Sequence, residues 1–118
     1  MAKADRLERL DNRRAELEAD YLATLVNALQ RSAAGSWGLF GHNKDRASLA
    51  KWAGPVEELC DLGQAIDKMR YDLGLEPFAL HHEFEASRGP VASTAPGEPR
   101  QAKAWLARLG MPIETGGG

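Results

Sequence analysis

The longest regular pattern in the chain runs over residues 5–33, where Leu7, Leu10, Leu17, Tyr21, Leu25 and Ala28 recur at three- and four-residue steps. That period puts them on one face of a helix, and Leu22, Val26 and Leu29 widen the stripe in its second half. Arg14 holds the seam position between Leu10 and Leu17, so the apolar face is broken in the first half. Charges of both signs surround that half, Asp5 with Arg9 for example, which predicts a solvated start and a buried end from Tyr21 to Leu29. Gly35 stands where such a helix closes on a left-handed residue.

A second stripe, Val56, Leu59, Leu62, Ile66, Met69 and Leu73, predicts a helix over 55–73. Pro55 reads as its first turn, where the missing N–H costs nothing, and Gly74, Leu75 and Pro77 read as its stop. Ahead of it a short helix over 46–53 is expected, capped by Asn43 or Asp45, with Leu49 and Trp52 on one face and Gly54-Pro55 closing it. Residues 77–87 predict a further helix bearing Phe78, Leu80, His81 and Phe84. Three prolines and two glycines over 89–99 read as a linker. Pro99 then opens a helix over 99–109 with Ala102, Trp105, Leu106 and Leu109, and Gly110 and Pro112 end it. Residues 113–118 read as a frayed tail.

No segment alternates with the period of a strand, so the expected class is all-α. At 118 residues the expectation is one domain: an antiparallel hairpin of two long helices with the shorter helices packed across it, bundle-like. A lone hairpin leaves part of each stripe uncovered. A homodimer or another protein would cover it, or this chain's own shorter helices would cap it.

The stretch from Gly35 to Asp45 sets Trp37, Leu39 and Phe40 among glycines, between the two long patterns. Connections are usually small and polar, so three large apolar side chains imply a segment folded onto a surface, this chain's core or a partner's. Trp37, Leu39, Phe40 and His42 are therefore the candidate partner-binding residues. The stretch lacks the Lys-Ser/Thr pair and the preceding strand of a phosphate-binding loop.

Candidate chemistry is sparse. His81 and Glu85 are four residues apart and share a helical face, and with His82 and His42 they are the candidate metal or acid–base set. The adjacent histidines point about 100° apart, unlike the four-residue spacing of a zinc helix. The lone cysteine, Cys60, sits beside Asp61 with no local base or cation to make a thiolate, and reads as structural. Glu57, Glu58 and Asp61 fall in one turn and read as complementing a helix dipole. No cofactor is implied, and no small-molecule substrate is identifiable.

The net charge of −2 is unevenly spread. Residues 45–85 carry four basic and nine acidic side chains, a net of −5, whereas residues 86–118 carry four and two, a net of +2. An acidic middle argues against nucleic acid. The charged N-terminus, the absence of a long apolar run and the single cysteine set the expectation of a cytoplasmic protein of bacterial style. The function expected is that of a non-catalytic helical interaction module or complex subunit, with the histidine set as the enzymatic or metal-binding alternative.

Overall fold

The computed structural model describes residues 2–41, 46–88 and 97–113. They form four helices, α1 (Ala2–Ala33), α2 (Arg46–Asp72), α3 (Ala79–Ser87) and α4 (Glu98–Leu109), and contain no strand. The fold is all-α and bundle-like. The cap residues Asn43 and Asp45, His42, most of the 89–99 linker and the tail from 114 onward lie outside the described residues.

Glycine ends each of the three longer helices in the left-handed region, at Gly35, Gly74 and Gly110. In each case the amide of the residue after the glycine returns to a carbonyl in the last turn, from Ser36 to Arg31 O, Leu75 to Arg70 O and Met111 to Leu106 O. These bonds satisfy carbonyls that the helix itself leaves without donors.

Residues 46–53 and 55–73 are not separate helices, because α2 runs unbroken through Gly54 and Pro55. Trp52 on one side of the proline and Leu59 on the other are both buried, and only a continuous helix aligns them with Ile66 on one face. Gly54 also lacks the Cβ against which a proline ring clashes when the preceding residue is helical. The lost N–H of Pro55 is the cost of that continuity. Leu49, expected to share the buried face of Trp52, stays 36% exposed.

α1 is the central element: it packs against both α2 and α4, α3 packs against α2, and α2 and α4 do not pack on each other. Early α2 lies by late α1, where the Arg31 guanidinium covers the Trp52 ring at 4.4 Å; Arg70 meets Glu18 at mid-α1 at 2.9 Å, and the end of α2 lies by early α1, where Asp72 lines one depression with Arg6, Leu7 and Leu10. The pair is therefore an antiparallel hairpin. Leu17, Tyr21, Leu25, Ala28 and Leu29 of α1 are buried, while Leu7 is exposed and Leu10 half-buried. Arg14, the residue that interrupts the seam, bonds Asp11 at 2.8 Å and Glu18 at 2.7 Å, and Glu18 in turn receives Arg70. Burial raises the Glu18 pKa, but hydrogen bonds from Arg70 and Arg14 outweigh it and leave the carboxyl below its ordinary value.

Replacing Pro55 with alanine restores a donor for the Lys51 carbonyl while loosening the unfolded chain slightly. The Pro55→Ala variant is expected to gain about 1–2 kcal/mol in urea unfolding. An unchanged or lower stability would contradict a helix that is continuous through this position.

Candidate functional site

The loop after α1 is positioned from three sides. Gly38 takes φ +126° and lies so close to α2 that a Cβ there would stand 2.5 Å from the Trp52 ring and 2.6 Å from the Ser48 carbonyl. Only glycine combines that backbone with that approach. The side chain of Glu98, in the first turn of α4, reaches back to accept the Gly38 amide at 2.8 Å and the Phe40 amide at 2.6 Å. From the end of α3, Arg88 Nε donates to the Leu39 carbonyl at 2.7 Å. Glu98 is fully buried, so its charge is held by two backbone donors and by the field of Arg88. Burial pushes the Arg88 guanidinium below its ordinary pKa, and the negative charges of Glu98 and Glu85 act in the opposite direction.

This clamp decides where the four candidate partner-binding residues sit. Leu39 and Phe40 have no exposed surface and belong to this chain's own core, Phe40 facing Phe84 with ring centroids 6.0 Å apart. A partner cannot touch them while the loop is folded, and the physical reason is Glu98, which draws the backbone inward at residues 38 and 40. Trp37 keeps 39% exposure, its ring edge lying where a side chain on Gly97 would be. His42 is outside the described residues.

The histidine set divides. His81 is buried, with Nδ1 2.9 Å from the Tyr21 hydroxyl and Nε2 3.2 Å from Glu85 Oε1. Burial, reinforced by the charge of Glu85, pushes the Tyr21 hydroxyl well above its ordinary pKa. It therefore stays protonated, paired with His81 Nδ1, while Nε2 on the other side of the ring pairs with Glu85. Gly63 makes this packing possible, since a Cβ there would stand 2.3 Å from the His81 ring. His82 turns elsewhere: its Nε2 meets Asp67 Oδ2 at 2.6 Å, while Asp67 Oδ1 accepts the Phe78 amide at 2.8 Å and so fixes the start of α3. The His81–Glu85 spacing thus brings those two together, and His82 does not join them. Among the described residues no three His, Cys, Asp or Glu side chains are grouped to hold a metal ion.

Cys60 donates to Glu85 Oε1 at 3.5 Å and accepts from Gln64 at 3.4 Å. Burial, then its bond to Glu85 and the neighbouring charges, pushes the thiol pKa up, which disfavours the nucleophilic thiolate.

Two of the surface depressions lie each along one long helix. A groove of about 400 Å³ runs along the outward face of α1, lined by Ala19, Leu22, Ala23, Val26 and Met111, with Asn27 and Gln30 at its edge. Gln30 Nε2 donates to the Pro112 carbonyl at 3.2 Å and holds the wall formed by the chain after α4. The outward face of α2 carries a depression lined by Gly54, Glu57, Glu58, Asp61, Leu62 and Ala65.

Glu98, Arg88 and Gly63 escape a reading of the sequence. Glu98 lies in a Gly-Glu-Pro run that looks like linker, and an acidic residue at a helix start reads as a dipole partner. The α1 groove left a faint signal: Ala15, Ala19 and Ala23 repeat every four residues beside Leu22 and Val26, off the main stripe. No protein-family model, curated protein or solved structure matches the chain.

Removing the Glu98 carboxylate orphans two buried amides at once and takes from Arg88 one of the negative charges that act on it. Glu98→Ala is expected to cost about 3–5 kcal/mol in urea unfolding, and Glu98→Gln, which retains an acceptor, clearly less. A loss below about 1 kcal/mol for the alanine variant would contradict the clamp.

Proposed function

We propose that the chain is a non-catalytic helical interaction module, a subunit that binds protein through exposed helix faces. The carrying observation is the α1 groove, which among the described residues stays open after α2, α3 and α4 have packed. Its floor residues Ala19, Leu22, Ala23 and Val26 follow the i, i+3, i+4, i+7 spacing by which one helix meets another. Alanines at 19 and 23 let a partner backbone approach closely, and Leu22 and Val26, half-buried here, supply apolar area that a partner would finish covering. Trp37 is the one large side chain of the 35–41 loop that keeps exposed surface.

No helix among the described residues is long and apolar enough to cross a membrane. The reading sets the module in the cytoplasm, where the single Cys60 thiol stays reduced.

A photo-crosslinking amino acid in place of the exposed Ala23 tests the groove, with the same group at the exposed Arg13 as control. In cells making the protein, irradiation is expected to give a discrete protein adduct from position 23, lost on adding Val26→Asp, and none from position 13. Equal adducts at both positions, or none at 23, would contradict the reading.

A further inference from the structure

The open face of α1 is small at one end and large at the other. Ala15, Ala19, Leu22 and Val26 lie within a strip about 60° wide on the helical wheel, and between Ala15 and Val26 that strip holds no charged side chain. Ala15 and Ala19 are exposed, Leu22 and Val26 are half-buried, and Met111 lines the groove beside the larger pair. Such a face complements itself when two copies run antiparallel. The chain's own tail suits it poorly, since residues 114–118 are Glu-Thr-Gly-Gly-Gly and carry no large apolar side chain.

We infer that the α1 grooves of two copies pack on each other as an antiparallel helix pair. This rests on the groove being an interaction surface and names its occupant, a second copy of the chain. A two-fold axis crossing α1 at a level between Asp20 and Tyr21 sets Ala19 of each copy level with Leu22 of the other, and Ala15 level with Val26. Every large side chain of the strip then meets a small one, and the helix axes can approach as closely as alanine allows. One axis serves both halves of the contact, because the same strip is used by both copies. The polar edge agrees. Asn12 and Gln30 lie on one side of the strip, the two-fold sets like edges together, and these two fall within one residue of the same level. Gln30 gives an amide N–H to the Pro112 carbonyl, which leaves its Oε1 to accept from Asn12 Nδ2 of the second copy. One strip with Met111 buries less than the ~800 Å² per partner of a standard interface, so association is weak and concentration-dependent.

The register is tested by disulfide trapping in a Cys60→Ser background, with Ala15→Cys and Val26→Cys made separately on chains carrying tags of different size. In the antiparallel pair each of these cysteines lies about 16 Å along the axis from its own mate, whereas positions 15 and 26 are level. Mild oxidation is expected to link the mixture and to link neither variant alone. Sedimentation velocity of the full chain is expected to show a dimer that grows with concentration. Ala19→Arg, at an exposed position, is expected to raise its apparent Kd at least about tenfold with an unchanged circular dichroism spectrum. Each variant linking to itself, as a parallel pair would, a dimer indifferent to Ala19→Arg, or a chain that is monomeric at every concentration would overturn the inference. A monomer that still gives an adduct with a different protein from position 23 would overturn the second copy and leave the groove as an interaction surface. A monomer with no adduct from position 23 would remove both.

Discussion

A single buried carboxylate organises one end of this molecule. Glu98 accepts the amides of Gly38 and Phe40, and through them ties the loop after α1 to the first turn of α4. A carboxylate with no exposed surface is tolerable only when donors replace its water, and two backbone N–H groups with Arg88 nearby do so. The consequence reaches beyond the loop. With Leu39 and Phe40 drawn inward, Phe40 meets Phe84 of α3, and Phe84 meets Trp105 of α4 edge-on at 6.2 Å. α3 and α4 are thereby joined through an aromatic cluster although their backbones stay apart.

The opposite side of α1 is held by polar groups of a different kind. Tyr21 and His81 satisfy each other in a nearly dry setting, and Glu85 completes the histidine's second bond. His82 with Asp67, and Arg70 with Glu18, are more open to solvent and fix the approach of α3 and of late α2. Among the described residues, His81, His82 and Glu85, which a sequence reading gathers as candidate chemistry, are thus engaged in pairs that help to hold α3 to α1 and α2. What they leave unoccupied is surface, namely the apolar groove of α1 and the acidic outward face of α2.

The class of fold was legible because helices announce themselves by period. The α1 stripe from Leu17 to Leu29, the α2 stripe through Leu59 and Ile66, and the stops at Gly35, Gly74 and Gly110 all stand as the pattern predicts. Pro55 misled because a local rule, that proline opens or breaks helices, was outweighed by the tertiary need to keep Trp52 and Leu59 on one face. The loop was half legible. Its apolar residues showed that something had to cover them, but the choice between own core and partner turns on Glu98, 58 residues from Phe40, and no local pattern marks that pairing. Gly63 is silent for a similar reason: its purpose is the His81 ring that tertiary structure brings against it.

Leu39 and Phe40 thereby belong to the core, and the outer helix faces are the surfaces proposed for recognition. Native-state hydrogen exchange at the Gly38 and Phe40 amides tests that most directly. Bonded to a buried carboxylate, both should exchange only through openings whose free energy approaches that of global unfolding. Exchange at the rate of an open surface loop would contradict the account, returning Leu39 and Phe40 to the exterior and the recognition surface to the loop itself.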